Sequence, residues 1–155
     1  MKNLFTPAVN QQMVDRINSL TPDKKPLWGK MTVAQMLAHC LEPLCVALGE
    51  KSFKGGLMAF LFGKIAKKQL VKDEPFKRNL PTTPSFKVKE EKNFSEEKNK
   101  LVELVQKFGK NDPEEIAKRP HPFFGKLNAE EWNTLQYKNL DHHLRQFSVL
   151  SLLIS

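Results

Sequence analysis

The stretch Trp132-Asn-Thr-Leu-Gln-Tyr-Lys-Asn-Leu-Asp-His-His-Leu-Arg-Gln-Phe147 constrains this chain more than any other. It reads as one amphipathic helix, opened by the capping-box pattern Asn128-Ala-Glu-Glu131 and extending to about residue 152. Two of the four histidines, an aspartate and an asparagine are gathered on it. With about 3.6 residues per turn, positions 139 and 143 lie one above the other on one face, the spacing that brings two ligands to one ion. A third histidine, His39, falls in another strongly helical segment near the N-terminus. Such a helix needs partner helices to cover its apolar face, so a bundle is expected.

At 155 residues the chain makes one domain, spanning 1–155, with enough material for a single core. A hydrophobic content of 40% with 27% charged residues argues against disorder. The N-terminus lacks the apolar core and cleavage site of a signal peptide, and no apolar run nears the roughly 20 residues that cross a bilayer. A cytosolic protein without a membrane partner is expected. Cys40 and Cys45 are five apart in a helical pattern and point to different faces, so reduced, packed thiols are expected. The formal charge of +8 comes mostly from dispersed lysines, with acids interleaved at 87–92 and 95–100 and only four arginines. Without a basic and aromatic stacking platform, this describes a solvated basic surface better than a nucleic-acid site.

The remaining chain is punctuated by caps and prolines. Thr6-Pro7 is an N-cap with proline at the first helical position, and Val9, Met13, Ile17 and Leu20 then recur at helical intervals. Thr32-Val-Ala-Gln35 is a capping box that opens a helix over about 32–49. Pro43 interrupts it and removes the hydrogen bond to the carbonyl of His39. The resulting kink either follows the core or opens space beside the histidine. A third helix over about 57–71 is apolar first and then rich in lysine, which suits its C-terminal pole. Pro75, Pro81 and Pro84 then enforce a crossover from 73 to 93, with at most an extended piece at 86–88. Ser95 is read as the cap of a fourth helix that ends near Gly109, carrying Leu101, Leu104, Val105 and Phe108 on one face. Asp112-Pro113 begins a short helical turn, and His121-Pro-Phe-Phe-Gly125 is a rigid aromatic loop. The expected architecture is all-α, its body made by the long helices.

No phosphate loop, G-x-S-x-G elbow, H-E-x-x-H or CxxC occurs, and Cys40 and His39, as helix neighbours, point about 100° apart. Any chemistry in this chain therefore rests on a metal. His39 and His143 project from two helices that can face each other, as bundle sites require. His142 turns about 100° away from His143, toward a neighbour or solvent. His121, between prolines, is a structural loop residue or part of a pocket rim.

The residues 27–40, the run His121-Pro-Phe-Phe-Gly-Lys-Leu127, Glu131-Trp132 and the stretch 138–147 together resemble an uncharacterised branch of the DinB/YfiT-like superfamily, along nearly the whole chain. The resemblance implies a four-helix bundle with a long crossover, often dimeric. Members commonly hold a divalent metal with three histidines, one from the second helix and two from an H-x-x-x-H on the last, followed by a stretch containing arginine and glutamine. On that pattern His39 and His143 are metal ligands, and Asn139 stands where the remaining histidine would be. Gln146 falls in the stretch that follows, and with Asp141, His142 and His121 it is a candidate for orienting a ligand ring or lining the pocket. The implied function is a metal-dependent hydrolase or small-molecule thiol transferase using zinc or nickel. An amide oxygen is a weaker, harder ligand than imidazole for a borderline metal. The site is then empty, weakly occupied, or completed by His142, Asp141 or water. Asp141 is otherwise a solvent-facing or capping carboxylate. The alternative is a non-catalytic bundle that binds a small ligand or dimerises.

Overall fold

The punctuation reads through to the architecture. In a computed structural model describing residues 2–72, 74–80 and 84–150, the chain forms α1 (Pro7–Asn18), α2 (Val33–Ala47), α3 (Gly56–Leu70), a 3-10 turn (Pro84–Phe86), α4 (Phe94–Lys110), α5 (Pro113–Ala117) and α6 (Ala129–Gln146). Both capping boxes form. The Thr32 hydroxyl accepts from the Gln35 amide at 3.2 Å while the Gln35 side chain accepts from Thr32 N–H at 3.0 Å. Asn128 and Glu131 exchange the same pair at 2.8 and 2.9 Å.

Three expectations need correction. The fourth helix begins earlier than the Ser95 cap implies: Asn93 occupies the cap and accepts from Glu96 N–H at 3.0 Å. Asparagine and serine have similar cap preference, so local sequence did not separate them. The piece at 86–88 is not a strand, because Phe86 closes the 3-10 turn. The last helix stops at Gln146 instead of running to about 152, where part of the expectation lies outside the described residues. Ser148 adopts φ +62°, Val149 N–H donates to Leu144 C=O at 2.8 Å, and Ser148 N–H donates to Arg145 C=O at 3.1 Å. This is a left-handed helix stop of the kind glycine usually makes. Here the conformational cost of serine is offset by burial of Phe147 and Val149 and by Arg16, whose guanidinium donates to Val149 C=O at 3.0 Å.

The body is built by α1, α2, α4 and α6. The second helix packs on α4 and α6, and α1 packs on α4. Pro43 is buried within α2, which continues through it. Its carbonyl accepts from the Gln136 amide of α6 at 3.2 Å. The fully buried Met36, Leu37 and Leu44 of α2 meet Leu101, Val105 and Phe108 of α4 and Trp132 of α6 in one core. Each such side chain contributes on the order of 1.5–3 kcal/mol by leaving water. No helix of the described residues is long and apolar enough to cross a membrane. The two cysteines are free thiols, Cys40 buried and Cys45 half-buried.

Helix α3 is attached to the outside of this body. It rests on α6 and on the aromatic loop through small residues. A Cβ at Gly55 would overlap the Pro122 carbonyl, and one at Gly63 would overlap that of Phe123. The buried Lys138 of α6 fastens the other end, donating to Leu70 C=O at 3.0 Å and Lys72 C=O at 2.8 Å. A cation on the last carbonyls of a helix complements its dipole.

Candidate functional site

The site is built where α2 and α6 face each other and the crossover passes over them. His39 comes from α2 and His143 from the last turn of α6, and their ring centroids are 4.7 Å apart with planes at 75°. Two imidazoles bound through one nitrogen each to a tetrahedral ion at about 2.0–2.1 Å hold their centroids about 5 Å apart. The pair therefore has the spacing of two ligands.

Hydrogen bonds at the opposite nitrogens fix which atom of each ring is available. His39 Nδ1 is 2.8 Å from the Phe86 carbonyl oxygen. A carbonyl only accepts, so Nδ1 carries the proton and Nε2 keeps the lone pair. For His143 the same conclusion follows through one more step. Gln146 Nε2 donates to the Trp28 carbonyl at 2.7 Å, which orients the amide so that Oε1 faces His143 Nδ1 at 2.9 Å. That oxygen only accepts, so His143 also protonates Nδ1 and keeps a lone pair on Nε2. Burial holds both rings neutral. It lowers the pKa of His39, opposed by the bond to Phe86 and the Glu42 charge, and it pushes His143 down to about 3, assisted by His39.

His142 stands beside this pair rather than within it. Its ring is 5.0 Å from that of His143, 5.5 Å from Trp28 and 6.3 Å from Phe76, and burial lowers its pKa. Arg78 covers the other ring in this wall, its guanidinium 4.4 Å from the centre of Trp28. On the outer side of His142 is a cavity of about 250 Å³ whose lining includes Phe76, Tyr137, Asp141 and Arg145.

The remaining candidates have other surroundings. Asn139 is half-buried one turn before His143, and among the described residues no hydrogen bond ties its side chain to either histidine. Asp141 is buried and neither solvent-facing nor a cap. Its oxygens contact Arg16 and Arg145, each at 2.8 Å. His121 is two aromatic rings from His39, through Phe53 at 5.9 Å and Phe86 at 5.1 Å from Phe53. Among the described residues no three His, Cys, Asp or Glu side chains converge as ligands of one ion. The two imidazoles have the centroid spacing of paired ligands, and among the described residues the set stops short of a third such donor.

Phe86, Trp28 and Lys138 were not singled out by sequence reasoning. The Pro84-Ser-Phe86 turn carried a signal in its proline, but which carbonyl it delivers to His39 depends on where the crossover lands.

Fold and site together define an all-α bundle with two buried neutral histidines anchored through Nδ1. The chain belongs to the family described as a protein of unknown function, DUF1569, whose model matches residues 2–149. No curated protein and no solved structure matches it.

Proposed function

We propose that this protein is a DinB/YfiT-like bundle that holds a divalent ion, zinc or nickel, weakly between His39 and His143 and acts on a small molecule as a hydrolase or thiol transferase. The carrying observation is the matched tautomer: two adjacent neutral imidazoles, each anchored at Nδ1 by an oxygen acceptor, leave both Nε2 lone pairs available. Asn139 would add an amide oxygen from the preceding turn of α6. A bound divalent ion supplies Lewis acidity and a water of lowered pKa. The protein's own contribution is orientation and shielding, through Phe86, Gln146 and the ring wall of Trp28 and Phe76. Weak affinity follows from two nitrogens and one amide in place of three imidazoles. The homodimer belongs to the same proposal and is supported by the likeness alone.

Isothermal titration with zinc tests the reading. Asn139→His puts an imidazole one turn from His143, and its affinity is expected to exceed that of the natural protein tenfold or more. Zinc at a hundred times the dissociation constant then stabilises the fold by about 2.7 kcal/mol. His39→Ala in the same background removes the gain. Equal affinities for the natural and Asn139→His proteins would end the metal reading.

The cavity outside His142 favours a second reading, a non-catalytic bundle that binds a small ligand there. Its mixture of aromatic and charged lining residues suits a small polar molecule. A ligand whose affinity falls with Tyr137→Ala and not with His39→Ala would select this alternative.

A further inference from the structure

Helix α3 displays what the rest of the molecule buries. Six of the nine exposed large apolar side chains among the described residues lie on it and its C-cap: Leu57, Phe60, Leu61, Phe62, Ile65 and Val71. Phe60 is 84% and Leu57 71% exposed. The opposite side of the helix, with Ala59, Gly63, Ala66 and Leu70, is turned toward the body. The apolar face is therefore held outward by packing, and no opening of the fold is needed to present it.

Charge on this segment is as one-sided as its hydrophobicity. Between Glu50 and Asp73 the sequence contains Lys51, Lys54, Lys64, Lys67, Lys68 and Lys72 and no acid. Two of these are engaged by the body: Lys51 pairs with Glu42 at 2.6 Å and Lys67 with Glu131 at 2.9 Å. Among the described residues no ion pair engages Lys54, Lys64, Lys68 or Lys72, all exposed. Positions 57, 61, 64 and 68 follow one another at helical intervals, so Lys64 and Lys68 share the outward arc with Leu57 and Leu61. The first two turns carry four of the six apolar side chains, and the later turns carry all three lysines of the helix.

We propose that α3 is a peripheral docking element for the surface of an anionic lipid bilayer. Its first turns would enter the boundary between headgroups and acyl chains, with the lysines of the later turns at the level of the phosphates. An amphipathic basic helix binds in this way, its lysine stems lying along apolar surface while the ammonium groups reach polar water. A second copy of the chain is a poorer occupant. A two-fold contact through this arc would set Lys64 and Lys68 near their own copies and remove water from them, with no acid on the segment to compensate. The inference is independent of whether the histidines bind metal.

Cosedimentation of the full chain with vesicles tests it. Binding is expected to vesicles of equal phosphatidylglycerol and phosphatidylcholine in 0.1 M salt, with little binding to phosphatidylcholine alone and release by 0.5 M salt. Each surface lysine contributes roughly fivefold near such a membrane, so Lys64→Glu with Lys68→Glu is expected to weaken binding at least about thirtyfold. Phe60→Ser with Leu61→Ser is expected to weaken it as well, while the melting temperature stays near that of the natural protein. Three results would overturn the proposal. They are failure to bind anionic vesicles, binding that ignores the Phe60 and Leu61 changes, and equally tight binding to soluble poly-glutamate, which would reassign the surface to an acidic protein. A dimer that the same serine changes dissociate, in a protein indifferent to vesicles, would assign the face to a second copy.

Discussion

His121 and the pair His39 and His143 are all buried, neutral histidines, yet they hold their protons on opposite nitrogens. His121 Nδ1 accepts from the backbone N–H groups of Phe123 and Phe124 at 3.0 and 3.2 Å. Backbone N–H groups only donate, so this Nδ1 keeps its lone pair and spends it on its own loop, leaving Nε2 protonated. The ring is also packed against Phe124 at 4.7 Å and Trp132 at 5.3 Å. His39 and His143 donate from Nδ1 and retain Nε2. One arrangement uses histidine to close a turn, and the other leaves it ready to bind. Burial alone therefore says little about a histidine's role; the partner of its other nitrogen decides.

Acid should expose both kinds together, with the largest effect. Burial pushes His121 down to about 4 and His143 to about 3, from an ordinary value of 6.5. Below pH 6.5 the unfolded chain takes up protons that these rings refuse when folded. Their contribution is fully present above pH 6.5 and is lost as pH falls toward 4 for His121 and toward 3 for His143. Between pH 7 and 4.5 the loss should be on the order of 5 kcal/mol, measured by urea unfolding. If the proposed ion binds, saturating zinc should raise stability while keeping His143 unprotonated to still lower pH, so the fall between pH 7 and 4.5 stays and the His121 part is unchanged. A pH-independent stability would break the comparison.

Removing His121 should separate the two kinds directly. His121→Ala strands two loop N–H groups and empties the space beside Trp132, so a loss of about 3 kcal/mol is expected in denaturant titration. Zinc affinity should be unchanged. A parallel fall in zinc affinity would show that His121 belongs with the other pair after all.

The smallest effect on the fold should come from Gln146→Ala. It releases the His143 ring and the Trp28 carbonyl, with about 1 kcal/mol of stability lost. If His143 is a ligand, zinc binding should fall about 10- to 100-fold, because the anchoring bond sets the ring's tautomer and orientation. Unchanged binding, by titration calorimetry, would mean that the Gln146 contact is only packing.

Much of the fold was legible because local chemistry marks helix starts strongly. Thr32 with Gln35 and Asn128 with Glu131 announce two of them, and Pro7 a third. The end of α6 was not legible. A serine in the left-handed conformation is unfavourable locally, and only the distant Arg16 and the burial of Val149 make it hold. The position of α3 also escaped the pattern. Its apolar half looks like core, but its small-residue face is the one that packs.

The sequence by itself determined five helices and one short helical turn in order, the i, i+4 relation of Asn139 to His143, and the placement of His39 on a second helix. These depend on propensity, capping and the helical repeat, which act over a few residues. The tertiary structure alone decided that the His39 and His143 rings are 4.7 Å apart, which of their nitrogens stays unprotonated, and that Asp141 is held by Arg16 and Arg145. Those outcomes depend on carbonyls and side chains many residues away. A hydrogen bond carries no trace of its partner in local sequence until the chain has folded to bring the two together.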